Sequence, residues 1–118
     1  MDNKTRKYLK LLKIELEDLI IDLEFGEEVM AKRLEDHEIT EYVFMENIGL
    51  LKKEVLGIEK LKKVVEAEGS DDKSIDDLKA LLEVYFTREI KAAGLPNVVS
   101  LLVKRKLEKI SLYMSIDE

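Results

Sequence analysis

Cysteine, glutamine and tryptophan are missing from this 118-residue chain, and proline and histidine occur once each, as Pro96 and His37. Without cysteine there are no disulfides, thiolate metal sites or cysteine nucleophiles. A single histidine cannot supply a histidine-based zinc set within one chain. It also excludes the paired Glu-x-x-His motifs of di-iron bundles, because Leu34 stands three residues before His37. No Gly-Lys-Ser/Thr phosphate loop occurs, and serine has no credible base nearby. No cofactor is therefore expected. Aromatic residues make up only 6% of the chain and no run alternates at period two, so strands are not expected either. The apolar runs are short and broken by charge, so none reads as a membrane span. The N-terminal stretch is charged and has no apolar signal core. The expected location is the cytoplasm.

What the chain does have is a stripe. Leu9, Leu12, Leu16, Leu19 and Leu23 recur at spacings of three and four, and Met30, Leu34 and His37 continue the series. This is the buried side of a long amphipathic helix packed on another helix. Helix 1 is expected to start at Asp2 or Asn3, either of which could cap it, and to reach about His37, whose position at a helix C-terminus suits the dipole. Gly26 leaves two readings, a continuous helix or a break after Phe25. Continuity is favoured because the later stripe stays in phase. Thr40 is the expected cap of a second helix with the stripe Phe44, Ile48, Leu51, Val55, Ile58, Leu61 and Val65, ending near Gly69. Ser74, with Asp77 three residues on, opens a third helix whose inward residues read as Ile75, Leu78, Leu82 and Tyr85. Gly94-Leu95-Pro96 stops it, and Asn97 is the expected cap of a fourth helix carrying Val99, Leu102, Leu107, Ile110 and Met114. The reading is a single all-α domain over residues 1–118. It is an antiparallel bundle of four main helices, with a long hairpin over about 3–68 and a shorter one over about 74–114.

Charge is arranged in blocks. Lys4, Arg6, Lys7, Lys10 and Lys13 precede an acidic stretch from Glu15 to Glu41, then Lys52, Lys53, Lys60, Lys62 and Lys63 precede an acidic run from Glu66 to Asp77. In an antiparallel first hairpin, basic 4–13 lies beside acidic 66–72, and acidic 15–24 lies beside basic 52–63. The two glycines Gly26 and Gly49 would then fall near one level and could allow a close crossing. Each exposed pair contributes only ~0–1 kcal/mol, but the pattern disfavours slipped or parallel pairing. The Lys104-Arg105-Lys106 cluster lacks so clear a partner block and reads as a solvated face, with an anionic ligand as the sharper alternative. The net charge of −6 argues against nucleic-acid binding.

Helix 1 is apolar on two sides. Leu11, Ile14, Ile21 and Phe25 fall opposite the leucine stripe. Val98 to Val103 is likewise apolar nearly all round. Together these mark Leu11, Ile14, Ile21, Phe25, Val98 and Leu101 as candidate interface residues, covered by helices 3 and 4 or by a second subunit. The expected function is a non-enzymatic helical interaction or assembly protein, homo-oligomeric (a homodimer in the simplest case) or bound to a helical protein partner.

The alternative is a divalent-cation-dependent enzyme acting on a phosphorylated small molecule. Its ligands would come from Glu24, Glu27, Glu28, Glu35, Glu38 and Glu41. The paired pattern of helical nucleoside-triphosphate pyrophosphatases is not met: Ala31 stands where a third glutamate should follow Glu27 and Glu28, and Glu15-x-x-Asp18 precedes rather than follows it.

The lack of glutamine and cysteine, with Lys and Glu in excess, is the composition of heat-adapted proteins. A calorimetric midpoint well above the ~45–65 °C of mesophilic domains is expected. A midpoint inside that range would contradict this reading of the composition.

Overall fold

The computed structural model describes residues 3–68 and 74–116, so Asp2 and the Gly69–Lys73 run lie outside the described residues. It has four helices in chain order: α1 (Asn3–Glu35), α2 (Glu41–Ala67), α3 (Ile75–Ala93) and α4 (Asn97–Ile116). Successive helices run antiparallel and α4 returns beside α1. The fold is an all-α bundle, 56 Å in its longest dimension.

Local chemistry sets the ends of the helices. Asn3 is the first helical residue of α1. The helix runs unbroken through Gly26. It ends in a paired-carbonyl cap, in which the Glu38 amide donates to the Arg33 carbonyl at 2.9 Å and the His37 amide to that of Leu34 at 3.1 Å. His37 takes the left-handed position of this cap, with φ of 59°. It therefore terminates the helix and does not extend its stripe, which stops at Leu34. At the start of α2 the Thr40 hydroxyl accepts from the Val43 amide at 3.2 Å. Ser74 accepts from the Asp77 amide at 3.1 Å at the start of α3. Gly94, with φ of 64°, closes α3 by the same paired-carbonyl cap as α1. There the Leu95 amide donates to the Ile90 carbonyl at 3.0 Å. Asn97 is the first residue of α4 and not its cap. The turn that contains it is closed by the Val99 amide donating to the Pro96 carbonyl at 3.0 Å.

Cross-hairpin pairs fix the alignment of α1 and α2. Lys13 meets Glu66 at 3.9 Å and Lys62 meets Glu17 at 3.2 Å, both in the antiparallel register that complementary blocks demand. Farther along the hairpin, Leu51 of α2 lies against Gly26.

The core is continuous but confined to one half of the molecule. It comprises Tyr8, Leu12, Leu16 and Leu19 of α1, Ile58, Leu61 and Val65 of α2, Leu78, Leu82, Phe86 and Ile90 of α3, and Leu95 with Val99, Val103, Leu107, Ile110 and Met114. On α3 the inward stripe keeps a spacing of four throughout. Phe86 and Ile90 thus take the buried positions, while Tyr85 is half-buried beside Val64 and Arg88. Tyr8 is fully buried, and its hydroxyl donates to the Leu107 carbonyl at 3.2 Å, with Ser111 Oγ at 3.4 Å. Burial pushes its ionisation above the ordinary 10.0, Glu83 adds to that, and the Ser111 contact opposes it.

The close approach in this fold is at Gly57, not at Gly26 or Gly49. A Cβ on Gly57 would run into the Leu95 side chain, whereas one on Gly26 would sit in ordinary contact, 3.7 Å from Leu51, and one on Gly49 would meet nothing. The sequence pattern drew attention to Gly26 and Gly49 because both fall within one hairpin. The crowding instead comes from the α3–α4 turn, which packs on α2 from outside it. Gly57→Ala should therefore destabilise the fold by about 1 kcal/mol, because overpacking exceeds the gain in helix propensity. Gly49→Ala should stabilise it by about 0.5–1 kcal/mol. Denaturant melts of the two variants check both signs.

Candidate functional site

The two hairpins differ in length, with 33 and 27 residues in α1 and α2 against 19 and 20 in α3 and α4. At 1.5 Å per residue α1 spans about 50 Å and α3 about 28 Å. The Gly94–Leu95–Pro96 turn reaches α2 at the level of Gly57 and Lys53, and the rest of the long hairpin projects beyond it as a two-helix arm. No residue from 20 to 56 is buried. Leu23, Met30 and Leu34 of α1 face Phe44, Ile48, Leu51 and Val55 of α2 along the arm, and all seven are half-buried.

The candidate interface residues distribute as follows. Leu11 is half-buried against the core. Together with Ile14 it lines an apolar groove between α1 and α4 whose other walls are Glu15, Lys109, Ile110 and Tyr113. Ile21 is 61% exposed and Phe25 63% exposed on the arm. Val98 and Leu101 are also exposed, at 48% and 56%, so the 98–103 segment buries Val99 and Val103 but not its whole circumference. Helices 3 and 4 thus leave most of the second face of α1 open.

The arm carries further apolar residues that the main stripe did not flag. Tyr42 and Met45 are each 71% exposed, and Leu50 and Leu56 are also open. A signal for them exists: Tyr42, Met45, Gly49 and Leu56 keep helical spacing of three, four and seven on the side of α2 away from its stripe.

Glu15 ties α1 to α4 beside the apolar groove. It accepts from Lys109 Nζ at 2.6 Å and Lys106 Nζ at 2.9 Å. The Lys104–Lys106 cluster is therefore partly paired across the fold. Sequence spacing could not show this, because the partner lies 91 residues away. The Lys109 and Lys106 hydrogen bonds hold the Glu15 carboxyl below its ordinary 4.5. Glu54 on the arm shifts the other way, upward, because of burial.

The carboxylates of the alternative reading do not converge. Glu24, Glu28, Glu35, Glu38 and Glu41 are exposed and Glu27 is half-buried. Among the described residues no three acidic or histidine side chains are grouped to hold a metal ion. Among the same residues, no helix is long and apolar enough to cross a membrane. Comparison of the chain with protein-family models, curated proteins and solved structures finds no match.

Because the folded-state pKa of Glu15 is depressed, its contribution is fully present above the unfolded value near 4.5 and is lost as pH falls through the lower folded value. Glu15→Gln should lower stability at pH 7 by about 1 kcal/mol. In melts run at successively lower pH, the gap from wild type should close in acid. A gap unchanged down to the acid-unfolding limit would contradict the assignment.

Proposed function

We propose that this chain is a non-enzymatic helical assembly protein that associates with its own copies through the open apolar face of its first helix. The observation that carries this reading is the arm. A two-helix extension without a buried residue presents Ile21 and Phe25 on the outer face of α1, with Tyr42, Met45 and Leu56 on the opposite side of the arm, on the outer face of α2. Covering a side chain such as Ile21 or Phe25 contributes roughly 1.5–3 kcal/mol, and with Ile14 on the same side of α1 they form an apolar face that association would cover. Among the described residues no three acidic or histidine side chains are grouped to hold a metal ion, and the groove between α1 and α4 is lined mainly by apolar side chains.

Light scattering over a concentration series should show the wild type passing from monomer to oligomer. Ile21→Asp and Phe25→Asp should each give a folded, helical monomer, because neither residue belongs to the core. A wild type that stays monomeric at high concentration contradicts the reading. So do Asp variants that unfold, since they would place these side chains in the core.

A further inference from the structure

The assembly reading leaves open how two copies meet, and α1 carries a charge order that decides it. Its first third is basic, with Lys4, Arg6, Lys7, Lys10 and Lys13 and no acidic residue from 4 to 14. Residues 15–28 hold seven acidic residues (Glu15, Glu17, Asp18, Asp22, Glu24, Glu27 and Glu28) and no basic one. At ~100° per residue, Lys10, Ile14, Ile21, Phe25 and Glu28 share the side of α1 that points away from its leucine stripe. All five are exposed. From Lys10 to Glu28 the order along that seam is basic, apolar, acidic, and Lys32, one turn farther on, is paired with Asp36. α4 runs beside the first half of α1 and brings the exposed Lys104, Arg105 and Lys109 near the start of the acidic stretch, where Lys109 pairs with Glu15. The arm, at the other end, has a net negative charge: residues 20–56 contain ten acidic and four basic side chains.

A helix with this order cannot pair with itself in parallel, because basic would meet basic and acidic would meet acidic along the whole seam. It is complementary to itself only when reversed. We infer that two copies of this chain form a two-fold dimer in which the outer faces of their α1 helices pack antiparallel, about an axis near residues 17–18. The acidic arm of each copy then lies along the basic first third of α1 in the other. In this register Ile14 meets Ile21 of the second copy, Leu11 lies near Phe25, and Lys10 falls within reach of Glu28. The acidic residues nearest the axis, Glu17 and Asp18, project to opposite edges of the seam, where the two-fold sets each beside its own copy; Lys62 pairs with Glu17 there and Lys109 interacts electrostatically with Asp18. The apolar groove formed by Leu11, Ile14, Ile110 and Tyr113 continues the seam toward the head.

This geometry rests on the assembly reading, and its test separates the two. The chain has no cysteine of its own, so Ile14→Cys and Ile21→Cys are each the sole thiol in their variant. Under mild oxidation, the antiparallel seam gives a disulfide-linked dimer when the two variants are mixed, and none when either is oxidised alone. Residues 14 and 21 of like copies are then too far apart for the ~4.4–6.8 Å Cα spacing a disulfide needs. In parallel, Lys10→Glu and Glu28→Lys should each weaken dimerisation about tenfold or more, and the double variant should recover most of the loss, because like charges across an interface are repulsive and the exchange restores opposite ones. Cross-linking of each variant alone would overturn the antiparallel seam while leaving self-assembly standing. A dimeric protein with no cross-link in the mixture and no charge-swap recovery would do the same. A wild type that is monomeric throughout would overturn both.

Discussion

The leucine stripe of α1 is buried only where the short hairpin lies over it, and that cover stops at the Gly94–Leu95–Pro96 turn. Below the turn, Tyr8, Leu12, Leu16 and Leu19 meet side chains from all three other helices in one core. Above it, the same stripe continues as Leu23, Met30 and Leu34 with only α2 to pack against, and none of these residues is buried. Two helices alone bury one seam each and leave the rest of their circumference in water. The position of Leu95, seated against Gly57, thus divides the molecule into a conventional four-helix head and an arm whose packing is incomplete within one chain.

Electrostatics acts on this frame twice. Within the chain, the blocks select the antiparallel hairpin through Lys13–Glu66 and Lys62–Glu17, and Glu15 binds α4 back to α1 through Lys106 and Lys109. The Lys13–Glu66 and Lys62–Glu17 pairs, open to water, add little stability, but misaligned alternatives would place like charges together. On the outer side of α1, the same lengthwise segregation of charge gives the open face a direction.

The fold was legible in the sequence wherever it is encoded locally. The helical period of α1 and α2, the caps Thr40 and Ser74 and the stop at Gly94 all depend on residues within one or two turns of each other. The complementary blocks add a long-range cue that fixes the first hairpin. What the sequence concealed depends on how far one element reaches along another. The Gly57–Leu95 contact joins residues 38 apart, and nothing around Gly57 distinguishes it from Gly49. His37 continues the stripe in phase, yet it ends the helix because a residue there must adopt positive φ. Glu15 finds Lys106 and Lys109 only because α4 folds back along α1. The candidate surface was half legible. The second face of α1 shows in the periodicity of Ile14, Ile21 and Phe25, but the exposure of Tyr42, Met45 and Leu56 follows from the length mismatch between the hairpins, which no single helical stripe records.

The central claim is that the arm is incompletely packed in one chain and is covered by association. Amide hydrogen exchange measured on the wild type at low and high protein concentration tests it most directly. The account predicts that amides in 20–56 exchange much faster than those of the head in dilute solution, and gain protection as concentration rises while the head amides change little. Arm amides protected as strongly as the head in dilute solution, with no dependence on concentration, would contradict it.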